Sequence, residues 1–343
     1  MKQVVIIGGG IAGMEAAAWL DHNGVQVTLL EQADKQGGKL LTWDKLFPTR
    51  RPTQEVLAFL QKSMSGQTNV VTNAQLAQIQ RTKNGFLLSV QGREAIEADA
   101  VLIATGFDVF NARKKEEYGY GIYENVITSA DLERLIAGGK PLVNPAGQVP
   151  QRIGFIHCVG SRDEKVGNEY CSRVCCVTAV KQSITVKERL PDAQVFCFYM
   201  DLRMFGRGYE KLYREAQEKH GVTFIRGRLS EACDDPQGRI IVKVEDTLRG
   251  LPLRMTVDLL VLMVGMVPSE GTTRVARMLD LARGSDGFIV PADEHTQNNK
   301  AQIPGVFLAG TCTGPKSIQG TIADARAACL QVLEYLKELR KGL

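Results

Sequence analysis

The chain has no apolar run long enough to cross a bilayer. The longest after the opening strand, "LLVLMVGMV" at 259–267, falls well short of the roughly 20 residues that a spanning helix needs. Strong charge of either sign is also missing. The 42 Lys and Arg against 38 Asp and Glu leave a formal net charge of +4, too little for a nucleic-acid binder, which depends on a basic face. The short run "RKKEE" at 113–117 reads as a solvated loop. Cysteine is absent before position 158, and no C-x2-C pair occurs anywhere, so the paired spacing typical of structural zinc is not there. A glycine fingerprint occurs near the start and is not repeated in the second half.

The opening "MKQVVIIGGGIAGMEAAAWL" reads as part of the fold and not as a signal peptide. Three glycines and Glu15 interrupt its apolar stretch, and no small-residue cleavage site follows. The expected location is the cytoplasm, where thiols stay reduced. Eight cysteines then call for a reason other than structural disulfides, and metal or redox chemistry leads. The length allows two domains, and 44% apolar with 23% charged residues fits a globular chain with a large core.

Residues 2–7, "KQVVII", read as a buried strand. Gly8-Gly9-Gly10-Ile11-Ala12-Gly13 follows, then a helical segment that stops at Gly24. The next strand, "VQVTLLE", ends at Glu31, 18 residues after Gly13. G-x-G-x-x-G between a strand and a helix, with an acid closing the second strand, predicts a dinucleotide site. Gly8 permits the tight turn, Gly10 lets the backbone approach a pyrophosphate, and Gly13 lets helix and strand pack closely. The helix start offers N–H groups and positive potential to the phosphates. Glu31 can accept both ribose hydroxyls.

Further segments resemble the flavoproteins with two dinucleotide-binding domains. The Gly37-Gly38 pair lies shortly after the ribose acid. "EADAVLIATGFDVF" (97–110) ends its strand in Ala104-Thr105-Gly106. "IPGVFLAGTCTGPKSIQGTIADARAACLQVL" (303–333) gives a strand, a turn at Gly310-Thr311 and a long helix from about Ile318. The usual Asp after that glycine is replaced by Thr311, which puts its ribityl contact in question. The resemblance implies FAD, with contacts at Gly8, Gly10, Ile11, Ala12, Gly13, Glu31, Gln32, Gly37, Gly38, Lys39, Leu40, Leu76, Ala104, Thr105, Gly106, Gly310, Thr311, Lys316, Ile318 and Gln319. Lys39 and Lys316 are candidate cations near the isoalloxazine, with surface lysines as the plainer alternative.

The expected architecture is α/β: a Rossmann-like FAD domain from 1–110 and 258–343, a connecting segment at 111–150, and a second, degenerate NAD-type Rossmann domain at 151–257. "EADAVLIATGFDVF" is echoed by "TVDLLVLMVGMVPS" (256–269). Between them, "RIGFIHCVGS" (152–161) and "AQVFCFYMD" (193–201) read as strands. "CCVTAVKQSITVKERL" (175–190) and "YEKLYREAQEKHG" (209–221) read as helices. The turn after the first of these strands has no fingerprint. It has Cys158-Val159-Gly160-Ser161, a further stretch, and then Cys171.

The cysteine spacing is C-x12-C-x3-C-C: Cys158, Cys171, Cys175 and Cys176. One helical turn would put Cys171 and Cys175 on one face. Four thiolates from a strand end, a loop and a helix start suit a cubane iron–sulfur centre, with Arg162, Lys165 and Arg173 near in sequence. Structural zinc, a redox disulfide and buried inert thiols remain open on spacing alone. Cys197 and Cys329 read as core residues, and Cys312 lies beside the expected flavin.

At "CVGSRDEKVGNEYCSRVCC" the chain resembles the flavoprotein subunit of the heterodisulfide reductases, above all the short form in heterodisulfide-reductase-like complexes of sulfur-oxidising bacteria. "GGKL", "FPT" and "GPKSIQGTIADA" extend the likeness over nearly the whole chain. The resemblance implies FAD and a [4Fe-4S] cluster held by Cys158, Cys171, Cys175 and Cys176. It also implies a homodimer, and iron–sulfur and catalytic partner subunits in sulfur or disulfide metabolism. Ferredoxin-like C-x2-C-x2-C runs found in longer members are missing here. The function expected is electron transfer between FAD and the cluster, with little activity in the isolated chain. The alternatives are a self-sufficient NAD(P)H-dependent flavin disulfide reductase and a zinc-stapled, non-catalytic scaffold.

Overall fold

Val4 and Ile6 turn to one face of the first strand and Val5 and Ile7 to the other, and all four are buried. A strand apolar on both faces belongs in the middle of a covered parallel sheet, and that is its place in the computed structural model, which describes residues 2–64 and 66–341 of the 343. In chain order the strands are β1 (Gln3–Ile7), β2 (Gln26–Leu30), β3 (Asn69–Val71), β4 (Leu76–Thr82), β5 (Gly85–Val90), β6 (Ile96–Ala98), β7 (Ala100–Ile103), β8 (Phe107–Val109) and β9 (Val126–Thr128). They continue as β10 (Arg152–Val159), β11 (Gln194–Tyr199), β12 (Thr223–Arg226), β13 (Leu229–Asp234), β14 (Ile240–Asp246), β15 (Leu251–Val257), β16 (Leu259–Val264), β17 (Met266–Pro268) and β18 (Val306–Leu308). The α-helices are α1 (Ile11–His22), α2 (Thr53–Ser63), α3 (Ser129–Ala137), α4 (Cys175–Arg189), α5 (Tyr209–Glu218), α6 (Glu270–Met278) and α7 (Ile318–Lys341). Among the described residues no helix is long and apolar enough to cross a membrane.

The chain divides into two units. The first holds residues 1–41, 54–108 and 267–343. Its parallel sheet runs β3-β2-β1-β7-β18. Val4, Ile6, Val27, Leu29 and Leu102 face α1 and α7, which contribute Ala16, Ala17, Leu20, Ala325, Ala328 and Val332. Val5, Ile7, Val101 and Ile103 face the antiparallel β4-β5-β6 meander through Leu76, Ile79, Phe86 and Leu88. Alternation along the strands thus builds a core on each side.

The second unit holds residues 42–53 and 109–266 and repeats the plan. Its sheet runs β12-β11-β10-β16-β9, all parallel; β10, β11, β12 and β16 match β1, β2, β3 and β7, with the β13-β14-β15 meander again before the fourth of them, while the edge strand β9 comes first in the chain where β18 comes last. Ile153 and Phe155 pack on Val177, Val180 and Ile184 of α4. Glu133 of α3 and Lys181 of α4 form a buried ion pair at 2.6 Å, and Gln182 donates to Glu133 at 2.7 Å. These bonds tie the two helices together through groups that each need a partner when buried.

The division differs from the sequence expectation at three places, the first being residues 42–53, expected in the FAD domain and grouped with the second unit. Segment 111–150 is part of the second unit, because β9 is its edge strand and α3 packs on its sheet. β16 also belongs there, paired with β10 and β9. The "RKKEE" run is not a solvated loop throughout. Lys115 is only 2% exposed and pairs with Asp163 at 2.7 Å and Glu117 at 2.6 Å.

Candidate functional site: two equivalent crevices with different contents

In the first unit the order of the strands reverses between β1 and β7, which is where an open α/β sheet leaves a ligand crevice. The turn after β1 lies there. Gly8 has φ +111°, and a Cβ on it would meet the Ala104 carbonyl oxygen at 2.4 Å. A Cβ on Gly13 would fall 1.8 Å from the Gly8 oxygen. Only glycine fits either position. Gly10 differs: its φ of −78° is ordinary, and a Cβ there would meet no protein atom within 4 Å. Its lack of a side chain leaves open space directly before α1, whose N-cap it forms.

Around that space the predicted residues converge. Gly37 donates to the Gly9 oxygen at 2.8 Å, and Gly38 comes within 3.1 Å of the Gly10 Cα when given a Cβ. Glu31, 8% exposed, accepts from the Gly9 N–H and the Ala33 N–H, each at 2.8 Å. Each carboxylate oxygen keeps a lone pair for a further donor. Ile11 and Ala12 open α1, and a Cβ on Gly310 would meet that of Ala12 at 2.8 Å. Gly106 lies opposite Thr311, and Thr105 hydrogen-bonds Thr272 at 2.6 Å. Gln32 accepts from Arg274 at 3.4 Å. Leu40 and Leu76 are buried, Leu76 in the core beneath the meander.

The cations are otherwise engaged. Lys316 donates to the Gly310 oxygen at 2.8 Å and the Thr313 hydroxyl at 2.6 Å, so it braces the turn before α7. Asp324 of α7 accepts the Gly310 N–H at 2.6 Å, an anchor that no motif in the sequence marks. α7 begins at Ile318, with Gln319 in its first turn, and Ser317 accepts the Gly320 N–H at 3.1 Å. Lys39 sits 5.0 Å from the Phe107 ring centre and pairs with Asp108 at 3.4 Å. Cys312 is fully buried, its thiol pushed up to about 12 by burial, and it is inert in this setting.

In the second unit the equivalent crevice lies between β10 and β16. The correspondence is close: Ala104 donates to the Ile7 oxygen in one unit and Gly265 to the Val159 oxygen in the other, both at 2.9 Å. Gly160, with φ +71°, stands where Gly8 stands. Beyond it the two turns part. The first reaches its helix at Ile11; the second runs through residues 160–174 and fills the crevice. Ser172 accepts the Met266 N–H at 2.9 Å, and Tyr170 donates to the Met266 oxygen at 2.8 Å. Asp163, itself buried, ties the loop to Lys115 and, at 3.1 Å, to Arg228. Asn168 donates to the Gly160 oxygen at 3.0 Å.

This loop and its flanks gather the thiols. Cys158 ends β10 in the left-handed region, φ +59°, at a register shift in the pairing with β16. That conformation costs a non-glycine residue roughly 1–3 kcal/mol and clusters at functional sites. Cys158, Cys175 and Cys176 lie in one buried cluster and act on one another's titration. The Cys175 thiol is raised, first by the bonds it makes to its two neighbours and then by burial. Cys158 and Cys176 are held below an ordinary thiol, first by the bond from Cys175; His157 and Arg162 add their charge at Cys158, and His157 does so at Cys176. Arg162 also forks onto Asp201, at 3.0 Å from Nη2.

Cys171 is placed differently from expectation. It is not one helical turn before Cys175, because α4 starts only at Cys175, and Arg173 has φ +63°. The chain bends at that residue, and the Cys171 sulfur accepts the Arg173 N–H at 3.3 Å. Among the described residues no set of three or more His, Cys, Asp or Glu is arranged to hold a metal ion. A single zinc draws its sulfurs in to about 2.3 Å; a cubane binds each thiolate at a different iron and asks for a wider set. The uncapped start of α4 directs its N–H groups toward the same region.

The family model of the pyridine nucleotide-disulphide oxidoreductases matches residues 2–331. The chain belongs to that family. Its membership places it among oxidoreductases and supports FAD as its cofactor. Among curated relatives, it is 32% identical to the second A-type iron-sulfur subunit of the CoB–CoM heterodisulfide reductase of Methanopyrus kandleri, over 97% of this chain and 64% of that one. It is 42% identical to the A-type subunit of the H2:CoB-CoM heterodisulfide, ferredoxin reductase of Methanothermobacter thermautotrophicus, over 68% of this chain and 36% of that one. The chain thus spans less than two thirds of the length of these relatives. Among solved structures, this member of the family resembles thioredoxin reductase of Lactococcus lactis, with a TM-score of 0.70 at 17% identity over 98% of this chain and 100% of that one. That likeness confirms the doubly repeated dinucleotide-binding fold.

Proposed function

We propose that the chain is an electron-transfer flavoprotein that binds FAD in its first crevice and a [4Fe-4S] cluster at Cys158, Cys171, Cys175 and Cys176. The observation that carries this reading is the contrast between the crevices. The two sheets share the order of four strands, yet one turn is a glycine cradle with open space at Gly10 and the other is a thiol-bearing loop.

FAD supplies two-electron chemistry and an iron–sulfur centre one-electron chemistry, so together they convert one into the other. The residues bind and orient these groups. Glu31 holds the ribose hydroxyls, Gly10 admits the pyrophosphate, and the start of α1 offsets its charge. Arg162, the Arg173 N–H and the start of α4 offset the negative charge of four thiolates. Ser172 and Tyr170 hold the loop in the crevice and exclude a second dinucleotide. The relatives are named as A-type subunits of heterodisulfide reductases. On that footing we place the chain in a complex that serves sulfur or disulfide metabolism in the cytoplasm, as a homodimer joined by iron–sulfur and catalytic subunits.

Anaerobic purification with flavin, iron and acid-labile sulfide analysis tests the reading. The expected result is about one FAD and about four irons per chain. Zinc without sulfide, or a yellow chain free of iron, overturns the cluster.

A further inference from the structure

We propose that His157 is a redox-tuning residue: its ring N–H donates to the Cys176 sulfur and raises the reduction potential of the centre bound there. This inference rests on the cluster reading above.

Adjacent residues of a straight strand face opposite ways. The register shift after Ile156 and the left-handed Cys158 break that rule at the end of β10. As a result, Cys158 joins the buried cluster of Cys175, Cys176 and Cys197, while His157, beside Tyr199 and two residues on from Phe155, which pairs with Cys197, faces the same core, where Cys176 and Cys197 act on its ring. The imidazole is 6% exposed, and its ring centre lies 6.3 Å from that of Tyr199. Neither ring nitrogen has a hydrogen-bond partner among the described residues. A buried donor without an acceptor is costly, and the sulfurs are the acceptors within reach. A thiolate that ligates a cluster is a far better acceptor than a thiol. An added electron puts more negative charge on the ligand sulfurs, so a donor fixed at one of them favours the reduced state.

Cys197 flanks the same ring and lies outside the proposed ligand set, which makes it the control for packing. The experiment is a redox titration at one pH, followed by the paramagnetic signal of the reduced cluster, after iron and sulfide have been counted in each sample. His157→Phe keeps the ring volume without the donor. It is expected to shift the reduced-to-oxidised ratio at a set potential about tenfold toward oxidised, about 59 mV for one electron. His157→Gln, which restores an N–H, recovers most of that shift, and Cys197→Ala leaves the potential where it was. An iron-loaded His157→Phe chain with an unmoved potential overturns the inference, and so does an equal shift in Cys197→Ala.

If His157→Phe takes up no iron, the unaltered chain decides. Labelled with 15N-histidine, of which it has four residues, it should show one nitrogen with an exchangeable proton magnetically coupled to the reduced cluster. Absence of that coupling overturns the inference. An unaltered chain without iron removes the cluster reading itself and this inference with it.

Discussion

At the residue scale, the glycines of the first turn separate two jobs that a fingerprint alone runs together. Gly13 serves the protein, since a Cβ there falls 1.8 Å from backbone oxygen that has no room to move. Gly10 does not, since nothing of the protein lies within 4 Å of its would-be Cβ; the proposed dinucleotide gives its bareness a use. The expected outcomes differ accordingly. Gly13→Ala should lose about 3 kcal/mol or more of stability through forced overpacking, visible as a drop in urea midpoint. Gly10→Ala should stay within about 1 kcal/mol of the unaltered chain, because its φ suits alanine and only N-cap preference is lost. Yet it should retain flavin at a level about tenfold lower, because the methyl group occupies the path of the phosphates. Equal flavin content in Gly10→Ala and the unaltered chain would remove the dinucleotide from this crevice. At this scale the sequence was clear where backbone geometry forces a residue type, as at Gly8 and Gly13. It was opaque where burial decides: nothing in "RKKEE" marks Lys115 as the one that turns inward, and "GFIHCVG" does not say that His157 faces two thiols.

Among the elements, the 160–174 loop is the one that sets this chain apart, and a buried ion pair holds it. Burial works against the Asp163 charge, but the hydrogen bond and charge of Lys115, and then Arg228, outweigh it and keep the carboxyl below the usual Asp range. Lys115 in turn is raised: burial lowers it, and its bonds to Asp163 and Glu117 more than offset that. Lys115→Met should destabilise the second unit by about 2 kcal/mol at neutral pH, less than a fully broken buried pair because Arg228 remains. The sign of the pH dependence follows. Asp163 has a folded pKa below its unfolded one, so its contribution is present above the ordinary Asp range and fades as pH falls through the lowered value. The gap in urea midpoint between Lys115→Met and the unaltered chain should therefore narrow in acid, and a constant gap would assign Lys115 a packing role only. Regular elements were legible from apolar periodicity: β10, α4, β11 and α5 fall where the pattern puts them. β9 was not, because three residues, Val126–Thr128, carry no periodicity of their own and become a strand only by pairing with β16. The helical spacing assigned to Cys171 failed for a similar reason, since the bend at Arg173 is set by the loop's tertiary bonds.

On the scale of the whole molecule, one four-strand order occurs twice and only one copy has the glycine turn. The echo between 97–110 and 256–269 was the visible trace of that repeat, and it marks β6-β7-β8 and β15-β16-β17. What stands in place of the second glycine turn could not be read from strand order, which the two sheets share over four strands, but only from the turn that departs from it after Gly160. If Ser172 and Tyr170 close that crevice, the second unit has no seat for a nicotinamide dinucleotide, although the family is named for one. Under strict anaerobiosis, NADH or NADPH mixed with the isolated flavin-loaded chain should leave the flavin absorbance unchanged, while dithionite bleaches it. Rapid bleaching by either nucleotide would mean that the loop opens or that hydride enters elsewhere. The chain would then be a self-sufficient reductase, with Cys158 and Cys175, members of the same buried cluster, as its natural dithiol. With bleaching absent, electrons must enter or leave through the thiol-bearing loop or directly at the flavin from another protein, which is the behaviour of a relay and not of a stand-alone enzyme.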